Sequence, residues 1–301
     1  MRLSSVLKDD DRGGNDLHGI EGKVQHLLMK NNIIHADDVF TPLTGGRTNR
    51  VWKISGTRDL VCKLYSESTQ NPLYENAPQS EYACLKQLSG KGVAPEAVCF
   101  LRTELGDVLV YEYLHGTDWD NDVTLVAQLL ARIHSEPVPK GLRNLAVGSE
   151  AVVKQTLDML NDVQQEDVDV IQALKPTGKV AGAETLCFVH TDVVSGNLIQ
   201  IKDVVKLIDW QCPGFGDPVE DIAMFLSPAM QHIYRGTVLT DKECEAFISA
   251  YPDRIVQERY KQMAPFYHWR MAAYCAWKEA RGLQDYKVAK LLETAVLEQM
   301  R

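Results

Sequence analysis

The spacing of apolar positions changes twice along the chain. After a polar opening, Ile20, Val24, Leu27 and Leu28 recur at intervals of three and four, which predicts a short amphipathic helix. From Val39 to Tyr65 the runs VFTPL, RVWKIS and DLVCKLY are rich in β-branched and aromatic residues. TGGRTN and GTRD separate them with turn chemistry, so an antiparallel meander is expected. A helix is expected from about Pro72 to Leu88, because Pro suits a first helical turn and Tyr82, Leu85 and Leu88 then share a face. AVCFLR and VLVYEYL flank the hairpin-like TELGD and complete a β-rich first third with one main helix.

Beyond HGTDWDND the three-and-four spacing returns in VTLVAQLLARIHS and EAVVKQTLDMLNDV. One β segment interrupts this half, from TLCFVH to LIDW, where NLIQI and VVKLID are joined by Lys202 and Asp203. Helices resume from about Pro218, with long segments after Lys242, Asp253 and Asp285. No repeat or low-complexity tract is present. The expected organisation is an N-terminal lobe over residues 1–110, a hinge over 111–116 and a C-terminal lobe over 117–301.

Hydrophobic residues make up 45% of the 301 positions, ample for a core. The formal net charge of -9 argues against a nucleic-acid partner, whose footprint would be basic, and permits a cationic small substrate. Seven cysteines, an odd number without C-x-x-C spacing, form neither a disulfide framework nor a zinc site. Most lie in apolar runs such as LVCKLY and LCFVH and read as buried, reduced thiols. MRLSSVLKDDDRGGND lacks the apolar region of a signal peptide, and no apolar run reaches the ~18 residues of a membrane span. A soluble, cytoplasmic protein with no membrane partner is expected.

Candidate chemistry concentrates in HTDVVSGNLIQIKDVVKLIDWQ, from His190 to Gln211. A hairpin with strands at Asn197–Ile201 and Val204–Ile208 would bring its ends side by side and set Asn197 near Asp209. Asp192, five residues earlier, reaches the same space. A carboxylate beside an amide is an oxygen set suited to Mg²⁺, and the other carboxylate is left to accept a proton. Lys63, with Val61 and Tyr65 as alternate neighbours in an apolar strand, would point inward and need a charged partner. His190 reads as a loop brace rather than a proton carrier.

HTDVVSGN fits H-x-D-x-x-x-x-N, and LIDW stands where protein-kinase-like enzymes carry a metal-binding Asp after a hairpin. Together with IDWQCPGFGDPVEDIA, and with LTGGRTNRVWKI, LVCKLY, SEYACLKQL and LVYEYLHG upstream in order, residues 39 to 281 resemble the aminoglycoside phosphotransferase and choline kinase family. The resemblance implies an α+β, two-lobed protein-kinase-like fold, with a β-rich N-lobe and a mostly helical C-lobe. It implies transfer of the γ-phosphoryl of ATP to a hydroxyl of a small molecule, with an amine-bearing alcohol of choline, ethanolamine or aminoglycoside type as the leading acceptor. Asp192 would be the catalytic base, and Asn197 and Asp209 would hold Mg²⁺. Lys63, paired with Glu81, would contact the α and β phosphates. Gly45, Gly46, Arg47, Thr48 and Asn49 would close over the phosphates with backbone N–H groups. The Glu112 carbonyl and the Leu114 N–H would meet adenine.

The chain departs from the family at Thr191, where glycine is common, and at Val194, Ser195 and Gly196, which replace a common His-Pro-Gly. No ligand or base is lost. Pro218 and Asp221 also match, and Asp217 and Asp221 are expected to be structural, Asp221 as a brace of the catalytic loop. A protein kinase is disfavoured by GDPVEDIA in place of an activation segment ending in A-P-E. A nucleotide-binding regulatory module without turnover is disfavoured by the intact set Lys63, Asp192, Asn197 and Asp209.

In PFYHWRMAAYCAWKEA, Phe266, Trp269, Ala273 and Trp277 share one helical face, while Tyr267, Arg270 and Tyr274 share another. The pattern suits either a core stripe or an aromatic cage for a cationic acceptor, which Trp119 and Trp210 could join.

Overall fold

A computed structural model describes residues 17–43, 49–65 and 71–301. The chain divides into two units at His115 and Gly116. The first unit begins with helix α1 (Leu17–Lys30) and strands β1 (Val39–Pro42), β2 (Arg50–Ser55) and β3 (Leu60–Leu64). Helix α2 (Pro78–Leu88) and strands β4 (Ala97–Thr103) and β5 (Gly106–Glu112) complete it. The strands form one antiparallel sheet in the order β1-β2-β3-β5-β4.

Side chains alternate across a strand, and in β3 this separates two kinds of chemistry. Leu60, Cys62 and Leu64 join Val24 and Leu28 of α1, with Val108 and Val110 of β5, in the apolar core. Lys63 projects to the opposite face, where its Nζ lies 2.8 Å from Glu81 on α2. The sheet is thus apolar toward one helix and ion-paired toward the other.

Helix α2 starts at Pro78, not near Pro72. Asn71 Oδ1 accepts from the backbone N–H groups of Leu73 (3.0 Å) and Tyr74 (3.1 Å), an Asx turn that holds this stretch out of the helix. Pro78 takes the first-turn place, where its missing N–H costs nothing.

The second unit runs through β6 (Thr117–Asp118), α3 (Val123–His134), β7 (Arg143–Asn144), α4 (Ser149–Leu160) and α5 (Gln165–Ala173). It continues through β8 (Cys187–Val189), β9 (Leu198–Ile201), β10 (Val204–Leu207), β11 (Gly214–Gly216), α6 (Val219–Leu226) and α7 (Pro228–Arg235). The last helices are α8 (Asp241–Ala250), α9 (Arg254–Glu279) and α10 (Asp285–Gln299). The β content exceeds the expected single segment. β6 extends the β9–β10 hairpin, and β7 and β11 join β8 in a second three-stranded sheet. Strands of two or three residues are too short to display alternation, so TD, RN and GFG carry no periodic signal. Helix α5 was likewise hidden, because QEDVDVIQA buries only Val168 and Ile171.

The aromatic segment of α9 is core. Residues Met263, Ala264 and Phe266 through Trp277 are all buried. Phe266 and Tyr267 pack with Val152, Val219 and Met263, and the fully buried Trp269 donates from Nε1 to the Ile171 carbonyl at 2.6 Å. The cage alternative fails because the rings are already covered. Arg281 lies 3.7 Å above Trp277, and Lys278 Nζ lies within 5.4, 5.7 and 5.8 Å of Tyr274, Trp277 and Tyr286. Trp119 and Trp210 are buried too, and their Nε1 atoms donate to the Asp122 and Leu207 carbonyls.

A buried carboxylate ties the last helices together. Glu293 of α10 accepts from the Ser227 hydroxyl and the Ala229 N–H (3.2 Å), and pairs with His268 Nδ1 of α9 at 2.6 Å. All seven cysteines are free thiols. Burial pushes the half-buried Cys99 and Cys244 up to about 11. Among the described residues no helix is long and apolar enough to cross a membrane.

Glu293→Ala, which strands Ser227 and His268 in the interior, should lower the unfolding free energy by about 3–5 kcal/mol in urea titrations followed by tryptophan fluorescence. Leu291→Ala on the exposed face of α10 should cost less than about 0.5 kcal/mol. Native thiols should react with a disulfide reagent at pH 8 far more slowly than free cysteine, because the thiolate is the nucleophile. Urea should release all seven.

Candidate active site

In the first unit, Lys63 and Glu81 are 3% and 1% exposed. Their 2.8 Å ion pair turns a costly buried ammonium into a fixed, oriented cation. Tyr65, two residues along the chain and therefore on the same side, donates its hydroxyl to the same Glu81 oxygen. Its ring lies 5.1 Å from Lys63 Nζ. Of the turn expected over the phosphates, Gly45, Gly46, Arg47 and Thr48 lie outside the described residues. Asn49 exchanges side-chain amide hydrogen bonds with Asn76 at 2.8 and 2.9 Å.

Glu112 closes β5, and its N–H donates to the Glu96 carbonyl at 2.9 Å. The Tyr113 N–H donates to the Asp59 carbonyl at 3.0 Å, and the buried Leu114 follows. Lys53 holds this exit from the sheet, pairing with Asp59 at 2.7 Å while lying 4.3 Å above the Tyr113 ring. Its hydrogen bond keeps the Asp59 carboxyl below the usual carboxylate range.

In the second unit, Asp192 and Asn197 are brought together. Asn197 Nδ2 donates to the Asp192 carbonyl at 2.9 Å and to its Oδ2 at 3.3 Å. The 3₁₀ turn Ser195–Asn197 and the β9–β10 pairing close the expected hairpin, and the Ile208 N–H donates to the Asn197 carbonyl at 2.9 Å. Asp209 follows directly, with φ of 62°. Because Asn197 spends its nitrogen on Asp192, its Oδ1 is the atom that remains for a cation. An amide oxygen beside a carboxylate is hard-donor chemistry that fits Mg²⁺.

His190 braces this loop. Its Nε2 lies 3.0 Å from the Ile208 carbonyl, and its Nδ1 accepts from the Asp192 N–H at 3.2 Å. Both bonds require the neutral Nε2–H tautomer. Thr191 has φ of 70°, a left-handed conformation that costs a residue with a Cβ about 1–2 kcal/mol. A glycine at this place, as is common in the resembling family, would avoid that cost. The buried Asp221 holds the loop there. It accepts from the N–H groups of His190 (2.9 Å) and Thr191 (2.6 Å), and His134 Nε2 lies 3.0 Å away. His134 in turn contacts the Tyr251 hydroxyl at 2.8 Å, and burial raises that phenol far above its ordinary value. Asp217 is structural: it pairs with Arg259 at 2.6 Å and accepts from the Val219 N–H at the start of α6.

Sequence reasoning missed Tyr65, His134, Tyr251 and Cys212, whose carbonyl accepts from the Thr191 hydroxyl at 2.7 Å. The nearest available signal was the polar His134 closing the apolar stripe of α3. Its partners lie 87 and 117 residues away, beyond any local pattern.

Comparison with known proteins identifies the family and the fold. Residues 39–266 match the model of the phosphotransferase enzyme family. A thiamine kinase of Escherichia coli O9:H4 is 27% identical over 227 residues, covering 71% of this chain and 75% of that protein. A choline/ethanolamine kinase family protein from Mesorhizobium loti superposes with a TM-score of 0.65 at 15% identity, over 93% of this chain and 94% of its own. Choline kinase from Cryptosporidium parvum Iowa II gives 0.64 at 13% identity, over 93% and 97%. The fold is kinase-like, with an antiparallel-sheet N-terminal part and a helical C-terminal part.

Asp221→Ala should orphan two buried N–H groups and the His134 ring, and lower stability by about 3–5 kcal/mol. Tyr251→Phe, which deletes one hydroxyl bond, should cost about 1 kcal/mol. Urea unfolding of the two variants checks both values.

Proposed function

Because the chain belongs to the phosphotransferase enzyme family, we propose that it is a small-molecule kinase that moves the γ-phosphoryl group of ATP to the hydroxyl of a small cationic alcohol. The observation that carries this reading is the Asp192–Asn197 pair, bonded at 2.9 and 3.3 Å, at the mouth of a hairpin that ends in Asp209. Phosphoryl transfer asks a protein for positioning and charge neutralisation more than for covalent chemistry; this pair would supply positioning, and Lys63 with a bound Mg²⁺ would supply the neutralising charge.

Asp192 accepts the proton of the acceptor hydroxyl, and the Asn197 amide keeps its carboxylate oriented. Asn197 and Asp209 would hold Mg²⁺, which would supply positive charge to the phosphates when bound. Lys63, fixed by Glu81 and Tyr65, contacts the α and β phosphates. The family resemblance assigns Gly45, Gly46, Thr48 and Asn49 to the phosphates, which their backbone N–H groups would contact. Residues 111–116 serve as the hinge, where the Glu112 carbonyl and Leu114 N–H meet adenine.

For the acceptor, the similarity to thiamine kinase over 71% of the chain favours thiamine, which joins a primary hydroxyl to a cationic thiazolium. Choline-like and aminoglycoside-like alcohols come next. The net charge of -9 favours a cation over an anion. The buried α9 stripe supplies no cage, so selectivity for the cation rests on other residues.

The test is ATP consumption with Mg²⁺ over thiamine, choline, ethanolamine, aminoglycosides and sugars, with the product identified by phosphorus NMR. Thiamine should be phosphorylated. Asp192→Asn should lower kcat by about 10²–10⁴-fold while ATP binding survives. Turnover unchanged in that variant would remove Asp192 from the role of base, and no product from any acceptor would sink the kinase reading.

A further inference from the structure

We infer that Thr191 is a positioning residue whose hydroxyl ties the loop of Asp192 to the segment that carries Asp209. The inference rests on the kinase reading for what those two carboxylates do, but the tie itself is a matter of named bonds.

Asp209 stands with positive φ in the short span from Ile208 to Cys212. The near end of that span is held twice: His190 Nε2 meets the Ile208 carbonyl at 3.0 Å, and the Ile208 N–H donates to the Asn197 carbonyl at 2.9 Å. The far end is held by Thr191, whose Oγ1 donates to the Cys212 carbonyl at 2.7 Å with the Cys212 sulfur 3.3 Å away. Arg143 Nη2 donates to the same carbonyl at 3.2 Å. Asp209 therefore lies between two anchored ends, and His190 and Thr191, the residues immediately before Asp192, contribute one bond to each.

A glycine at position 191 would reproduce half of this. Its N–H could still reach Asp221, and positive φ would cost it nothing. It could not supply the shorter of the two side-chain bonds to the Cys212 carbonyl. The chain instead places a β-branched residue in a conformation that such residues avoid, with the side chain buried against Cys212. The hydroxyl is what that placement gains: it bonds the residue before Asp192 to the segment that carries Asp209.

The experiment uses the full-length protein with Thr191→Gly and Thr191→Ser. Hydrogen exchange of peptides spanning 190–213, kcat and ATP KM are compared with wild type. Thr191→Gly should fold with an unchanged or higher Tm, yet exchange at 209–213 about tenfold faster, the equivalent of one hydrogen bond. Its kcat should fall about tenfold with ATP KM within about twofold, the signature of an interaction lost in the transition state. Thr191→Ser, which keeps the hydroxyl, should match wild type in all three readouts. Wild-type exchange in the glycine variant would overturn the tie, and faster exchange with unchanged kcat would overturn the positioning role. If wild type itself transfers no phosphate, the kinase reading fails, while the exchange comparison still decides whether the tie exists.

Discussion

A carboxylate removed from water must be met by donors, and the second unit is organised around one such obligation. Asp221, fully buried on α6, is satisfied by the backbone N–H groups of His190 and Thr191 and by the His134 ring. Leaving any of these unpaired would cost more than forming the bond gains, so the chain has little freedom there. The residues before Asp192 are consequently locked, including one in a left-handed conformation that only an over-determined site can maintain. Asp192, Asn197 and Asp209 inherit their geometry from that lock.

The first unit meets the same problem with a different solution. A strand whose alternate residues face opposite layers sends Cys62 and Leu64 into the apolar core and Lys63 toward α2. Glu81 and Tyr65 then compensate the ammonium at one carboxylate oxygen. A single strand thus builds the core on one side and a poised cation on the other. The His268–Glu293–Ser227 cluster applies the rule a third time, purely to join helices. Buried polarity alone therefore does not mark function in this protein. The residues distinguished by it are those where the polar group also faces an atom that chemistry would use, as Asn197 faces Asp192.

The aromatic tail illustrates the opposite error. Phe266, Trp269 and Trp277 at helical spacing beside an acidic composition suggest a cation cage, but periodicity reports only that a face is apolar. Whether that face meets protein or ligand depends on what packs on it, here the Ile171 carbonyl on Trp269, and Arg281 and the ring of Tyr274 on Trp277.

The linear pattern by itself determined the meander, the amphipathic helices, the β9–β10 hairpin and the order of motifs around Lys63, Asp192, Asn197 and Asp209, because these depend on residues within a few positions of one another. Asn197 beside Asp192 was legible for that reason, as was an inward-facing Lys63. The start of α2 was not, since an Asx turn at Asn71 outcompeted a proline that also suits a helix. Nor were the two- and three-residue strands, which exist only because a neighbouring strand is there to pair with. The brace of the site, from Tyr251 through His134 to Asp221, joins three separate helical segments. Tertiary structure alone decided it, because a buried charge selects its partners by proximity in space, and no spacing along the chain records that choice.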